Sequence, residues 1–473
     1  MSRTTRTARE CGTVIGRMRP RQRLALLVLV VVVVAGAIVV LLGRSTEPSG
    51  PRRLAPGRGT TESTRDPFAY DADRRADFEA RAAAGLSHVL YAKSPGGAVA
   101  TAARVQKLRP TIEDVARRAH QDPDTLEAIV FLESAGRPDA TASDDLQSAV
   151  GLTQILAQTA TGLLGLKVDV AKSEQLTRRI ARSQSFSRIA RLEAQRRRVD
   201  ERFDPRKALE ATTRYIDFAR DNLGGRDDLA VESYHMGVGN LQRALKAYGS
   251  GDVPYAQLFF DATPVRHAKA WSILAALGDD SSTYLWRIGA AKAIMKLSRE
   301  GAGALAEQAA LEASPSGERV LRPAQGTAAF ADDDALRTEA LAVVDGAALR
   351  PSRALAAQPA PRRALRPDAL RLLRYLALGT REVGRTAPLT VTAATRSVAA
   401  ENRDTRGAFG AETPPSTHTT GYAFDLSRRY RSPAQAQALQ FWLDRLTALD
   451  VIRWTREPAV IHITVGPRAG ELR

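Results

Sequence analysis

The sequence predicts a mainly helical domain followed by a smaller α+β domain, both behind a single N-terminal transmembrane helix. Three observations support this fold class: a 20-residue apolar run near the N-terminus, a long Ala/Leu/Arg-rich region with helical spacing, and a C-terminal region in which helical and strand-like segments alternate. With 473 residues the chain is too long for one ordinary core, so two or three domains are expected.

The apolar run at residues 24–43 predicts the transmembrane helix, because 20 uncharged residues in a helix span a hydrocarbon core of about 30 Å. Seven arginines and one acid precede the run, which predicts a cytoplasmic basic tail at 1–23 and extracytoplasmic C-terminal domains. The alternative is a cleaved signal peptide, whose apolar core is usually shorter. We therefore expect a single-pass protein of the cell membrane.

The charge balance predicts an anionic partner. Lys and Arg number 69 against 52 Asp and Glu, a net charge of +17. Nucleic acid, lipid headgroups and an acidic cell-wall polymer are all compatible with that charge. Export and an aromatic content of only 5% argue against nucleic acid. The single cysteine, Cys11, excludes a disulfide framework and a cysteine-based metal site.

Composition and periodicity divide the rest of the chain into segments. We expect a linker at 44–75, a helical domain at 76–300, a second linker at 301–365 and the α+β domain at 366–473. Within the helical domain, residues 167–203 form a basic amphipathic insertion. It is either a solvated helix or helical hairpin, or a surface that contacts anionic glycan or membrane.

The first candidate catalytic residue is Glu133. It ends an apolar helical run and is followed by Gly136 and Pro138, which terminate a helix. A carboxyl group at such a position is easily desolvated, and desolvation favours the protonated form that a general acid needs.

The residues around Glu133 extend this hypothesis. The sequence continues with Glu133-Ser134, then Gly151-Leu-Thr-Gln154-Ile, and then Tyr234-His-Met-Gly-Val-Gly239. This ordered set resembles the lytic transglycosylases of the soluble-transglycosylase, goose-lysozyme-like family, over about residues 111–250. Thr153 stands where that family usually has Met, and His235-Met236 stands where it has Asn-Ala.

The resemblance implies a lysozyme-like fold and cleavage of peptidoglycan without a cofactor. Glu133 would protonate the MurNAc–GlcNAc glycosidic oxygen and then deprotonate the muramic C6 hydroxyl, which gives a 1,6-anhydro product. Ser134, Gln154 and Tyr234 would bind or orient the substrate. Hydrolysis with a second carboxylate is the alternative, and candidates for that group lie nearby at Asp139, Asp144 and Asp145.

The α+β domain has a candidate metal site. His418 and Asp425 lie seven residues apart across a glycine, and His462 lies in a strand-like segment, AVIHITV. Two histidines and one carboxylate with an open fourth position form a catalytic zinc environment.

This pattern resembles the zinc D,D-carboxypeptidases and L-alanyl-D-glutamate endopeptidases, over about residues 385–466. The resemblance implies Zn²⁺ at His418, Asp425 and His462, with Arg396 binding a substrate carboxylate. That family has its catalytic Glu three residues before the last His, where this sequence has Ala459. Glu457 is the nearest acid, so either Glu457 serves as the base or the domain binds without cutting.

Together these interpretations predict a mainly α lysozyme-like domain and a C-terminal α+β zinc-peptidase-like domain behind one membrane helix. The expected function is a membrane-anchored peptidoglycan lytic transglycosylase, with peptide cleavage at a zinc site as an open second activity. A non-catalytic peptidoglycan-binding scaffold is the alternative of a different class.

Overall fold

The computed structural model describes residues 66–472, apart from residues 324–326, 387 and 406–415. The described residues all belong to one compact unit. The predicted membrane segment at 24–43 lies outside the described residues. Within the described part of the chain, no helix has both the length and the apolar character needed to cross a bilayer.

The N-terminal part of this unit is helical, as expected. Its helices are α1 (Arg75–Gly85), α2 (His88–Lys93), α3 (Gly97–Gln106), α4 (Arg109–Ala119), α5 (Pro123–Ser134), α6 (Ala157–Gly162), α7 (Val170–Ala181), α8 (Phe186–Val199), α9 (Pro205–Asn222), α10 (Asp227–Met236), α11 (Val238–Tyr248), α12 (Tyr255–Asp261), α13 (Ala268–Ala275) and α14 (Tyr284–Glu300).

The C-terminal part combines helices with a small sheet. Its helices are α15 (Ala302–Leu311), α16 (Glu318–Leu321), α17 (Asp333–Thr338), α18 (Arg353–Ala356), α19 (Pro367–Gly384), α20 (Val398–Thr405) and α21 (Pro433–Ala448). Its strands are β1 (Ala342–Val343), β2 (Leu349–Pro351), β3 (Ala364–Leu365), β4 (Leu389–Ala393), β5 (Ala423–Ser427), β6 (Ile452–Arg456) and β7 (Val460–Val465).

Helix α5 has clear start and stop signals. The Asp122 side chain accepts hydrogen bonds from the first-turn amides of Asp124 and Thr125, and Pro123 occupies the first helical position. The helix ends where Ala135 and Gly136 adopt positive φ angles of 55° and 74°. Its middle is buried and packs against α14, so the last turn of α5 faces that helix.

Helices α7 and α8 pack together as a helical hairpin within the predicted basic insertion. We call Val170–Val199 the basic hairpin, since it contains nine Lys and Arg residues and two Glu residues. Its connecting segment is largely exposed, and Phe186 at its tip is 89% exposed.

The larger sheet has five strands in the order β2-β4-β5-β7-β6. Strands β2 and β4 are parallel, and the other pairs are antiparallel. Strand β7 lies between β5 and β6 and pairs with both of them. Alternate β7 residues Ile461, Ile463 and Val465 are buried and apolar, as a strand lying on a hydrophobic core requires. The register places Asp425 of β5 opposite His462 of β7.

The segment expected as a second linker, residues 301–365, is structured in its described residues. It contains α15 to α18, and its strand β2 joins the edge of the five-stranded sheet. Single-sequence periodicity missed these elements because they are only two to ten residues long.

The helical and C-terminal parts share a buried interface. Arg445 of α21 donates hydrogen bonds to three backbone carbonyls around the end of α12: Phe260 at 2.6 Å, Phe259 at 2.8 Å and Ala262 at 3.0 Å. At Gly85 a Cβ atom would lie 2.0 Å from the Thr447 carbonyl oxygen, so only glycine allows this approach.

Candidate functional sites

The last turn of α5 presents Glu133 to helix α14. The Tyr284 hydroxyl donates a hydrogen bond to Glu133 Oε1 at 2.7 Å. Burial raises the pKa of Glu133 to about 7, although the Tyr284 hydrogen bond and the positive charge of Arg287 act in the opposite direction. A large fraction of Glu133 is therefore protonated at neutral pH.

Aromatic rings form one side of this site. The rings of Tyr234 and Tyr284 are stacked with centroids 6.1 Å apart, and His235 stacks on Tyr284 at 5.4 Å. The Tyr215 ring meets Tyr234 edge-on at 5.2 Å. Tyr284 is buried within this stack, whereas Tyr234 is partly exposed and His235 is exposed, so these two rings could contact the apolar face of a sugar.

The Tyr234 hydroxyl is hydrogen-bonded to groups other than Glu133. It donates to the Thr153 carbonyl at 2.8 Å and lies 3.3 Å from Thr212 Oγ1. Tyr234 thus connects α10 to the loop that contains Gln154, and burial and the charge of Glu133 are among the causes that raise the pKa of Tyr234.

The other two predicted substrate-binding residues are bonded to nearby backbone. Ser134 is buried, and its hydroxyl donates to the Val130 carbonyl at 3.3 Å. Gln154 adopts a φ of 51°, and its Nε2 donates to the carbonyls of Gly151 at 2.9 Å and Ala140 at 3.2 Å. Both side chains hold the loop after α5, while Gln154 remains partly exposed.

Two residues at this site were missed from the sequence, Tyr284 and Arg287. Tyr284 lies 151 residues after Glu133 and belongs to none of the recognised motifs. Arg287 lies one turn further along α14 and forms an ion pair with Asp280. An aromatic and a basic residue one turn apart are common in helices, so no local signal marks them.

The carboxylates considered for hydrolysis lie in the loop after α5. Asp139, Asp144 and Asp145 are all exposed. In the described part of the chain, no hydrogen bond or ion pair connects any of them to Glu133. Glu232 of α10 is a different case, because it is fully buried and accepts a hydrogen bond from the Leu285 amide at 2.8 Å. Burial raises the pKa of Glu232 well above its usual value, which favours a neutral structural group.

The second site lies on the sheet. His418 Nε2 is 3.2 Å from Asp425 Oδ1, and His462 Nδ1 is 2.9 Å from the same oxygen. One ligand atom from each of the three residues lies within 4.8 Å of the others. The residues predicted as metal ligands from the sequence are therefore brought together, and we call them the His-Asp-His cluster.

The outward ring nitrogens of the cluster also have partners. His418 Nδ1 lies 2.8 Å from the Ala394 carbonyl oxygen, and His462 Nε2 lies 3.6 Å from Glu318 Oε1. A metal-binding imidazole needs its second nitrogen held in this way, because the acceptor fixes which nitrogen is free to ligate. Glu318 was not predicted, since it lies in the segment expected as a linker.

Carboxylates on both sides of His462 set its charge in this arrangement. Burial acts to lower the pKa of His462, but hydrogen bonds to Asp425 and Glu318 outweigh it and raise the pKa to about 9. Burial acts to raise the pKa of Glu318, and hydrogen bonds with His462 and Thr417 instead lower it to about 2. The two carboxylates thus stabilise the charged form of His462, and a divalent cation would take the place of the proton on Nδ1.

The two other residues predicted for this domain are Arg396 and Glu457. The Arg396 amide donates to the His418 carbonyl at 3.1 Å, which places Arg396 beside the cluster. Glu457 lies at the turn between β6 and β7, where its amide donates to the Val460 carbonyl at 3.0 Å. Its side chain is exposed, and among the described residues no hydrogen bond or ion pair connects its carboxylate to the cluster.

Comparison with known protein families identifies one region of the chain. Residues 175–254 match the transglycosylase SLT domain. This region runs from within α7 to beyond α11 and contains Tyr215 and Tyr234, whereas Glu133 lies before it. No curated protein matches the chain significantly.

The match defines the general class. Members of the SLT family are lytic transglycosylases, so the match supports an enzyme of that class acting on peptidoglycan. The mostly helical structure fits a lysozyme-like domain, and the C-terminal part adds a small sheet.

Proposed function

We propose that this chain is a membrane-anchored peptidoglycan lytic transglycosylase with Glu133 as its single catalytic acid and base. The supporting observation is the Glu133 carboxyl, whose Oε1 accepts a hydrogen bond from Tyr284 at 2.7 Å beside stacked aromatic rings. A general acid needs a pKa near the working pH, and about 7 meets that need.

In the proposed reaction, the Glu133 carboxyl donates its proton to the oxygen that joins MurNAc C1 to GlcNAc. The C1–oxygen bond breaks, and the GlcNAc end leaves with that proton. The Glu133 carboxylate then accepts the proton of the muramic C6 hydroxyl while the C6 oxygen bonds to C1. Glu133 returns to its acid form, the product is a 1,6-anhydro sugar, and no water is consumed.

The roles of the neighbouring residues follow from their contacts. Tyr284 orients Glu133 Oε1, and the partly exposed ring of Tyr234 would provide a face for a sugar. Ser134 and Gln154 hold the loop after α5, which shapes the groove in which the glycan would lie. Residues 24–43 would anchor the enzyme in the membrane, with the catalytic part on the extracytoplasmic side.

For the C-terminal domain we propose Zn²⁺ binding by His418, Asp425 and His462. The donor set fits zinc, because two imidazole nitrogens and a carboxylate oxygen converge while the outer nitrogens are held by oxygen acceptors. Bound zinc would act as a Lewis acid toward a peptide carbonyl. Arg396, whose backbone amide donates to the His418 carbonyl, would bind a substrate carboxylate through its guanidinium.

Binding of stem peptides without cleavage is the second candidate function for this domain. It is favoured by Ala459 at the position where the resembled peptidases have their glutamate. It is also favoured by Glu457, whose carboxylate has no contact with the cluster in the described residues. Cleavage requires that Glu457 reach the cluster when substrate is bound.

Mass spectrometry of digested peptidoglycan tests both proposals. Full-length protein in detergent would be incubated with purified peptidoglycan, with and without a chelator. We expect 1,6-anhydroMurNAc ends from the wild type and none from Glu133→Gln, whereas Glu307→Gln, the same change at an exposed glutamate, should act as the wild type. Reducing MurNAc ends would indicate hydrolysis instead. Chelator-sensitive peptide cuts would establish a zinc peptidase.

A further inference from the structure

Glu318 lies on the side of the His462 ring opposite Asp425. His462 Nδ1 is 2.9 Å from Asp425 Oδ1, and His462 Nε2 is 3.6 Å from Glu318 Oε1. The two ring nitrogens point in different directions, so Glu318 stands behind the histidine and outside the group of converging ligand atoms.

The same carboxylate oxygen also binds the other histidine segment. Glu318 Oε1 accepts a hydrogen bond from Thr417 Oγ1 at 2.7 Å and one from the Thr417 amide at 3.3 Å. Thr417 directly precedes His418. One oxygen therefore connects the turn that contains His418 to the strand that contains His462.

The backbone fixes the position of Glu318. Gly317 has a φ of 63°, and a Cβ atom there would lie 2.5 Å from Arg453 Cγ. Glu318 then opens the short helix α16, which lies against β6 and β7. The segment is thus packed onto the sheet, and its carboxylate reaches the cluster from a defined direction.

We propose that Glu318 is a positioning residue for a divalent metal bound by His418, Asp425 and His462. The Glu318 carboxylate, 3.6 Å from His462 Nε2, favours a proton on that nitrogen, which leaves Nδ1 as the ligating nitrogen, and it holds the His418 turn through Thr417. This inference rests on the proposed metal site. Thr464 Oγ1 lies 3.5 Å from the same nitrogen, but its hydroxyl is neutral and does not provide the negative charge of Glu318.

The test measures metal affinity with full-length protein in detergent. Zn²⁺ would be titrated in competition with a chromophoric chelator, and Co²⁺ absorption would report the ligand geometry. We expect Glu318→Ala and Glu318→Met to weaken Zn²⁺ binding about 10- to 100-fold and to change the Co²⁺ spectrum. Glu318→Gln keeps an oxygen acceptor and should lose much less.

The variants distinguish a positioning role of Glu318 from a general loss of folding. Methionine fills the volume of glutamate without accepting a hydrogen bond, so a folded Glu318→Met protein remains informative if Glu318→Ala unfolds. Glu307→Ala, at an exposed helical site, is the matched control and should bind as the wild type. Wild-type affinity and spectrum in folded Glu318→Met would overturn the inference, as would an equal loss in Glu318→Gln.

Failure of the metal site itself gives a different result. If wild-type protein binds no stoichiometric Zn²⁺, or if His418→Ala leaves binding unchanged, the proposed site is wrong and the role of Glu318 falls with it. If His418→Ala abolishes binding while Glu318→Met does not weaken it, the site stands and only the inference about Glu318 is wrong.

Discussion

The environment of Glu133 suits the catalytic acid proposed for it. Desolvation at the end of a helix was predictable from the apolar run before it, and burial raises the pKa of Glu133 to about 7. The hydrogen bond from Tyr284 was not predictable, because tertiary packing brings α14 to α5 from 151 residues away. The sequence thus identified the candidate acid but not the tyrosine that orients it.

The pH dependence of glycan cleavage should follow the protonation of Glu133. Because the acid form is required, kcat should fall as the pH rises through about 7. Tyr284→Phe removes a hydrogen bond that lowers this pKa, so the falling limb should move to higher pH while kcat drops by up to about 100-fold. A pH profile of anhydro product formation measures both effects, and an unmoved limb in Tyr284→Phe would contradict the assignment.

Replacing Glu133 should also stabilise the fold in a pH-dependent way. The folded pKa, about 7, exceeds the ordinary value of 4.5, so the folded state holds its proton more tightly and wild-type stability falls as the pH rises between these values. Glu133→Gln avoids this loss. Relative to the wild type, the free energy of unfolding of Glu133→Gln should increase more at pH 8 than at pH 5. The difference between the two increases should be at most about 3 kcal/mol.

Urea unfolding at the two pH values measures this difference. Glu307→Gln, where the carboxylate is exposed, should show no such pH dependence. Equal gains for Glu133→Gln at pH 5 and pH 8 would argue that Glu133 is ionised in the folded protein at both.

At the scale of elements, long periodic segments were predicted and short ones were not. The apolar run that became α5 was recognised as a helix, and AVIHITV as the strand β7. The strands β2 and β6 and the short helix α16 were missed. Their conformation depends on pairing with distant strands, as β2 pairs with β4, so their own sequence contains little information about it.

The basic hairpin should contribute to binding of an anionic substrate. Arg179, Arg182 and Arg188 are exposed near its tip, where few carboxylates offset their charge. Reversing all three to Glu should raise the apparent KM for peptidoglycan about tenfold at low ionic strength, and the difference should disappear at high salt because exposed charges are then screened.

A matched triple reversal separates local from global charge. Arg117, Arg337 and Arg353 are exposed elsewhere on the molecule, and their reversal to Glu changes the net charge by the same amount. If both triple variants raise the KM equally, the effect belongs to the overall charge and the basic hairpin has no special role.

At the scale of the whole molecule, the sequence predicted the order of the two parts but not their contact. Shifts in composition mark a boundary between cores, yet they do not reveal whether the cores touch. The structure places both parts in one compact unit, with Arg445 buried between them. Its charge is met by three carbonyl oxygens and by aromatic rings, including Phe259 and Phe260 at 5.1 and 5.2 Å.

Removing the Arg445 guanidinium should destabilise the interface strongly. Arg445→Met keeps much of the side-chain volume but leaves three carbonyl groups without their donor, at a cost of about 3 kcal/mol or more. Calorimetry should show a lower melting temperature, whereas Arg381→Met, at an exposed position of α19, should change it little. A loss below about 0.5 kcal/mol for Arg445→Met would show that the interface does not depend on these bonds.

The partners of Arg445 also bear on how the two parts can diverge in evolution. Every acceptor it uses on the helical side is a backbone carbonyl, at Phe259, Phe260 and Ala262. Backbone acceptors persist whatever side chain occupies those positions, so substitutions there can accumulate without removing the hydrogen bonds. The donor has no such freedom, since lysine lacks the planar, forked donors that reach three oxygens at once. Selection on this contact should therefore fall on the codon of Arg445 alone.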